Sequence, residues 1–588
     1  MSNIYDKSSL VLIPSGTKTG KVYSQKPVSG DGDFTFTRSS AATRVNEDGN
    51  IEKETQNLLL QSNFSSSWSA PVATMTGGQN GYDGSSDAWL LSATANFARI
   101  EQTNSSNGVV TLSVYAKAGT ADWIMLRLTG SGFNDQQYFD LANGTIGINR
   151  GCIAADIEDV GGGWYRCSAT TSGPTLQYAI MYIALADGNL SPTNENIYIQ
   201  DAQLEQGLVA RDYIETTTTA VEGGITDNVP RLDYTDSSCP ALLLEPQRTN
   251  LVTQSEYYGG SDWSRTRCGF VTNTSETLSP EGLYNASKML SIDASESYAQ
   301  DNVTLGSTSG TFTFFAKKGD LDYCHALVWD ISANGRRQWF NLATGAVGTT
   351  TNFGSGYTKV DATIEDYGNG WYRCSFSWSG GNTTSGVRIN ISSGDGVIGS
   401  PINSYGYFYG AQCEASASYA TSYIPTYGSS VSRVKDDCTL SDVSNVIADS
   451  KGSFYIEGNL STSDTSGVIV LTAGANTQDL FYIFITTAGV LLCEWFDGGN
   501  LQARLQAPAG SISVGDSFKI AVAYQDNDFV AYWNGTQIGT DSSGTAPTPT
   551  LLRIGKYNVD NYTGGSYTNV MVFPTRLSNE ELAALTTI

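Results

Sequence analysis

Few residue types in this chain could do acid–base or metal chemistry. It holds one histidine, His325, so His-based triads, HExxH zinc sites and three-His zinc sites are excluded. His325 lies in "LDYCHALV" and reads as a core or strand-edge residue. Paired carboxylates occur at Glu158–Asp159 and Glu365–Asp366. A glycosidase needs two carboxyl groups flanking one bond, but adjacent strand residues point to opposite faces. Each pair also precedes a glycine-rich turn, where aspartate accepts backbone hydrogen bonds. Glu494 and Asp497, three apart, fall on opposite strand faces in the same way. "GTKTGKV" at 16–22 is one residue short of a phosphate loop and ends in Val22, which has no hydroxyl for magnesium. No enzymatic activity is expected. No cofactor is expected beyond a structural calcium, for which Asp201 with Glu205, or Asp497, are the candidate ligands.

Stacking chemistry is better supplied. Sugar rings carry apolar faces that stack on aromatic rings, while their hydroxyls need amides, carboxylates or guanidiniums. "QQYFD" offers Tyr138 with Gln136 and Gln137, and "RQWFN" offers Trp339 with Arg337 and Gln338. If Phe139 and Phe340 face a core, strand alternation turns Tyr138 and Trp339 out of it. Trp123 and Tyr323 form a second matched pair, and Trp495 and Trp533 are candidates near the C-terminus. Each ring reads either as a ligand platform or as packing between modules or subunits, because aromatic rings dominate both kinds of surface.

These residues sit on a chain that repeats itself. "NLLLQSNF" from Asn57 matches "NLVTQSEY" from Asn250, "TLSVYAKAG" from Thr111 matches "TFTFFAKKG" from Thr311, and "GGGWYRCS" matches "GNGWYRCS". "DAQLEQ" from Asp201 and "RDYIETT" from Arg211 have counterparts from Gly410 and Thr421. The order is kept while the offset grows from 193 to 210. The reading is an N-terminal arm at 1–56, a module at 57–220, a linker at 221–249, a repeat module at 250–435 and a third domain at 436–588. The arm has too little apolar content for a core of its own and is expected to pack on the first module or on a partner. Leu112, Val114 and Ala116 share the phase of Phe312, Phe314 and Ala316, so both modules keep one core face. Short aromatic and β-branched runs between Gly, Asn and Ser turns make the chain all-β, with the repeats as jelly-roll β-sandwiches. "RLSNEELAAL" reads as a short terminal helix with a capping box at Ser578 and Glu581.

The formal charge is −25, with 15% of residues charged. That argues against nucleic acid and anionic membrane as partners. No run approaches the length of a membrane span. Leu10–Ile13 is too short for a signal peptide. Nine cysteines without a CxxC pair read as free, mostly buried thiols.

"NLLLQSNFSSSWS", "GGGWYRCS" and "IYIQDAQLEQG" resemble jelly-roll carbohydrate-binding modules. "VAYWNGTQIGT" with "RLSNEELAAL" resembles a laminin-G or concanavalin A-like sandwich. The whole, through "GDFTFTRSSAATRVNEDGNIE", "PRLDYTDSSCPALLLEPQRTNL" and "ATSYIPTYGSSVSRV", resembles bacteriophage virion proteins of the tail-fibre, head-fibre and lectin-like kind. The resemblance implies a virion protein assembled in the host cytoplasm and docked to other virion proteins through the N-terminal arm. It implies a homo-oligomer, with a trimer expected, that binds a host cell-surface glycan. A non-binding decoration protein and a polysaccharide depolymerase tailspike are the alternatives.

Overall fold

The computed structural model describes residues 2–330, 332, 334–448, 450–460, 468–474, 479–486, 488–513, 515–556 and 564–587. It is all-β, with short helices at Ser2–Lys7 and Asn579–Thr586. The second helix carries the capping box at Ser578 and Glu581.

Both repeats are antiparallel β-sandwiches. In module one, a sheet ordered Arg99–Thr103, Leu176–Ala184, Trp123–Gly130, Phe133–Asp140, Thr145–Arg150 faces a second sheet centred on Gly108–Ala118. Module two repeats this arrangement around Gly310–Lys318. Leu112, Val114 and Ala116 enter one core, and Phe312, Phe314 and Ala316 enter the other. The octapeptide repeat begins on a turn built from left-handed residues. Gly161, Gly162 and Gly163 have φ of 90°, 63° and 78°, and Gly368, Asn369 and Gly370 have 75°, 51° and 78°. Only glycine, and less easily asparagine, adopts that region without strain. Asp159 and Asp366 each accept the turn's amide, from Gly161 and Gly368, at 2.8 Å. Cys167 and Cys374 then point into the two cores. Eight of the nine thiols are buried and none is in a disulfide; Cys239 is exposed.

The repeated polar motifs hold the chain's entry to each module. Asn57 donates to the carbonyls of Ala202 and Ile214 at 2.9 and 2.8 Å, and accepts from the amides of Leu59 and Leu204 at 3.1 and 3.2 Å. Asn250 makes the matching bonds, to Ala411 and Ile424 and from Val252 and Cys413. A buried amide satisfied on all sides fixes four backbone groups in one geometry.

The third sandwich is not confined to its expected span. Residues 10–37 do not form an arm. Leu10–Leu12 pairs with Gly565–Phe573, setting Leu10 beside Val572 and Leu12 beside Val570. Phe34–Thr37 pairs with Asp437–Leu440. The linker contributes too, with Ala241–Leu244 pairing to Gly565–Phe573. Leu10, Phe34, Phe36, Leu242 and Leu244 all enter the same core as Phe454, Trp495 and Val570. The arm's apolar residues were too few for a core of their own because they complete one formed some 400 positions later.

The C-terminal sandwich is therefore a host, with module one inserted after Phe34–Thr37 and module two after Ala241–Leu244. Each insert enters and leaves through a two-stranded neck. Thr55–Asn57 pairs with Val221–Gly223, and Arg248–Asn250 pairs with Val431–Arg433. A buried ionic junction lies where the necks meet the host. Arg231 binds Glu245 at 2.6 Å and also Asp436, Arg433 binds Glu245 at 2.9 Å, and Arg38 binds Asp436 at 3.1 Å. Burial acts to raise the Glu245 carboxyl, but Arg433 and Arg231 outweigh it and hold it far below the usual range. A second junction joins the modules: Lys53 binds Glu256 at 2.7 Å and Glu281 at 3.0 Å, and Arg211 binds Glu281 at 2.6 Å.

Candidate functional site

Module two presents an outer sheet face rich in guanidiniums and rings. Along Tyr323–Asp330, Cys324, Ala326 and Val328 fill the core, so His325, Leu327 and Trp329 turn outward. The register sets Arg388 and Arg337 on either side of Leu327, and Asn390 and Trp339 on either side of His325. With strands about 4.8 Å apart, the two arginine backbones stand about 10 Å apart on one row.

Each arginine is held against rings. The Arg388 guanidinium lies 4.0 Å from the centre of the Tyr298 ring and 5.0 Å from that of Trp329, and its Nε donates to Gln300 at 2.7 Å. Arg337 lies 5.2 Å from the Phe353 ring and donates to Glu296 at 3.0 Å. Rings beneath a guanidinium fix its plane and leave its edge to bond a carboxylate or hydroxyl. Glu296 balances the cluster. Burial acts to raise its carboxyl, but the neighbouring Arg337 and Arg388 guanidiniums hold it below its ordinary value.

His325 is fully buried beneath this face, its ring centre 4.9 Å from that of Trp339. Its Nε2 stands 3.7 Å from Glu296, beyond hydrogen-bond reach, and among the described residues neither ring nitrogen has a hydrogen-bond partner. Burial lowers its pKa, against the pull of Glu296. The neutral imidazole is therefore the stable form at neutral pH.

The other expected site residues fall in different places. Tyr138 and Trp339 turn out of the sandwich cores, as their alternation with Phe139 and Phe340 requires, yet both are only 1% exposed. Tyr138 packs with Met125, Tyr182 and Leu190, and the Trp339 indole donates to the Val397 carbonyl at 2.8 Å. Neither ring is an open platform, because loops from distant sequence lie over both. Gln137 and Gln338 are buried and bridge a bulge in the sheet. Gln137 bonds the carbonyls of Tyr138 and Gly147 at 3.0 Å, and Gln338 bonds those of Trp339 and Gly348 at 2.9 Å. Their place is inside the strand pair and not on its surface. Trp123 and Tyr323 are half-buried at the ends of the two faces, with the Tyr323 hydroxyl accepting from Asn341. Trp495 is in the host core, stacked on Phe481 at 5.0 Å, and Trp533 packs half-buried against the same core. Arg337 is the expected residue that stands on this face, paired with Glu296. Arg388, Tyr298, Trp329 and Glu296 complete it and were missed. The signal was "VRIN", where Arg388 alternates with Val387 and Ile389.

Module one carries a related face. Arg99 lies over Tyr182 at 5.6 Å and Arg150 over Tyr138 at 5.8 Å, while Arg127 donates to Asn134 and to the Tyr182 hydroxyl. Met125 takes the position of His325.

Two of the three residues expected as calcium ligands have other partners. Glu205 accepts from Gln203, from the Arg211 backbone and from its guanidinium. Asp201 accepts from Tyr82 at 3.2 Å and is pushed up to about 6 by burial. Burial and neighbouring Asp479 also raise Asp497. Among the described residues no three His, Cys, Asp or Glu side chains gather as a metal site. "GTKTGKV" forms a hairpin, with Thr17 beside Val22 and Lys18 beside Lys21.

No family model and no curated protein matches the chain. Solved structures similar to the chain include three that differ in how much of it they cover. The CBM40 domain of Ruminococcus gnavus IT-sialidase bound to α2,3-sialyllactose is 23% identical over 24% of this chain and 84% of its own, with a TM-score of 0.22. Mouse laminin α1 chain domains LG4-5 are 8% identical over 46% and 86%, with a TM-score of 0.20. Trypanosoma rangeli sialidase is 8% identical over 94% and 98%, with a TM-score of 0.21. At these identities and TM-scores, function has to be read from the chain's own residues.

Proposed function

We propose that this is a non-enzymatic glycan-binding protein whose module-two sheet face takes an acidic sugar. One observation carries the reading: Arg337 and Arg388 lie on one row, each over a ring, in a chain of net charge −25. Guanidiniums over rings pair planar carboxylate recognition with a surface for sugar carbon faces. A globally acidic protein gains nothing by diffuse attraction of an anion, so the positive charge must act locally. The related face on module one offers a second contact in the same chain, and several weak contacts on one glycan surface add through avidity.

The place we propose for it is a bacteriophage virion appendage, a tail or head fibre that adsorbs to host glycans as a homo-oligomer. This reading rests on the sequence resemblance.

The test is calorimetric titration with α2,3-sialyllactose and with lactose, which lacks the carboxylate. Sialyllactose is expected to bind and lactose to bind at least tenfold more weakly, the value of about one charge-assisted hydrogen bond. R388K keeps the charge but loses the planar fork, and is expected to weaken binding about as much as R388A. Equal binding of the two sugars would remove the basis of the reading. Labelling of intact particles under the electron microscope tests the appendage role.

A further inference from the structure

A cleft of about 650 Å³ lies between module two and the host sandwich, away from the arginine face. One wall is the strand Thr358–Asp366 with its neighbour Trp371–Ser379. Alternation turns Asp361, Thr363 and Glu365 into the cleft, paired in register with Ser377, Ser375 and Arg373. The opposite wall is made by the linker and the host, including Asp233, Asp236 and Asn459.

The cleft's chemistry is the reverse of the module-two face. Six carboxylates and two guanidiniums line it. Some are engaged: Asp233 accepts the Val45 and Thr235 amides, and Asp236 accepts from Asn459 at 2.9 Å. Asp361 and Glu365 are exposed to the cleft; among the described residues neither is hydrogen-bonded, and Glu365 acts electrostatically on Arg373, its partner in register. Arg373 is 6% exposed; one terminal nitrogen donates to the Thr421 carbonyl, but its Nε has no partner. A buried donor left without an acceptor is costly.

Module one supplies an internal comparison. Glu158, Arg166 and Ser168 repeat the row of Glu365, Arg373 and Ser375, and Arg166 Nε also lacks a partner. The host sandwich closes the second wall over the module-two row.

A carboxylate accepts and cannot donate, whereas guanidinium Nε donates and cannot accept. An occupant must bring several donors and at least one acceptor. The acidic excess favours positive charge, and the Tyr367 ring on the wall favours a carbon face. The volume lies in the range of small-molecule sites. We propose that this cleft is a second binding site, for a short amine-bearing saccharide held by Asp361 and Glu365, with a ring or hydroxyl oxygen accepting from Arg373. This site goes beyond the acidic-sugar face and does not depend on it.

The test titrates the full chain with β-1,4-linked triglucosamine, its tri-N-acetylated form and α2,3-sialyllactose. Triglucosamine is expected to bind at least tenfold more tightly than the acetylated trimer, and less tightly as salt rises. D361N/E365Q is expected to weaken it tenfold or more with unchanged melting, since neither side chain holds the fold. The proposal is overturned if triglucosamine does not bind, if the acetylated trimer binds equally, or if binding survives the double substitution. Sialyllactose reports the arginine face separately: its binding without triglucosamine binding removes the cleft alone, and the converse removes the face alone.

Discussion

Phe36→Ala tests the insertion architecture most directly. Phe36 is fully buried in the host core and sits opposite Cys438 across the pairing of Phe34–Thr37 with Asp437–Leu440. Removing a buried phenylalanine ring costs about 3–5 kcal/mol through lost transfer energy and the cavity left behind. At 1.4 kcal/mol per tenfold, the opening equilibrium of the host sandwich rises about a hundredfold to several thousandfold. The strand Lys451–Asn459, paired on both sides within the host, reports that opening. Gly108–Ala118 and Gly310–Lys318, central to the two inserts, report the modules.

Hydrogen exchange read by mass spectrometry separates the three. Amides in 451–459 are expected to exchange faster by that factor, while those in 108–118 and 310–318 keep their rates, because sandwiches with separate cores open as separate units. If exchange speeds up only within 10–37, those strands are a detachable arm and the reasoning fails. A uniform rise in all three regions would refute it differently, by making the necks too stiff for separate opening.

The remaining predictions concern the necks, the junction and the repeat. Asn250→Ala leaves two carbonyls and two amides of module two unsatisfied and is expected to cost about 3 kcal/mol in that module; Asn57→Ala should cost module one a similar amount, each read by denaturation of the full chain. Glu54, beside the module-one neck, is raised from 4.5 to about 7 by burial, then by Glu222 and Asp227. Its folded form holds the proton more tightly than the unfolded chain, so its stabilising contribution is complete below about pH 4.5 and is lost as pH rises through 7. Exchange in 108–118 should therefore speed up between pH 5 and 8 beyond the intrinsic base-catalysed rise, and E54Q should flatten that excess; no change with E54Q contradicts the assignment. Asp436→Ala leaves Arg38 and Arg231 buried without their shared carboxylate and is expected to destabilise the host by about 3–5 kcal/mol, read as a fall in its unfolding midpoint.

Repetition and strand phase were legible in the sequence because they depend on local order. Leu112 and Phe312 lie in their cores because period-two alternation is set by the strand itself. The same alternation gave the direction of Tyr138 and Trp339 but not their cover, which comes from Leu190 and Val397, some fifty residues later in each module. Gln137 and Gln338 look like sugar-binding amides from sequence because nothing local shows that the next strand bulges around them. Arg388 was hidden for a related reason: it is a single cation on an apolar strand, and only pairing across Leu327 brings it beside Arg337.

The host's three-part construction changes what the resemblance motifs mean. "FTFTRSSAATRV" supplies Arg38, "PRLDY" supplies Arg231, "LLLEPQRTNL" supplies Glu245, and "SSVSRVKDD" supplies Arg433 and Asp436. Nearly 400 residues separate the first from the last in sequence, yet they meet in one buried ionic junction beneath the two necks. Buried ion pairs add little net stability over apolar packing, but breaking one is costly. Their use here is to fix which strands leave the host and where. The motifs that carry the resemblance thus describe how modules are mounted on a sandwich and are silent on the ligand. The outward residues of the modules are where the two repeats differ: Met125 stands in one and His325 in the other, and Gln136 stands where Arg337 does. Modules mounted this way can vary their outward residues without disturbing how they are held.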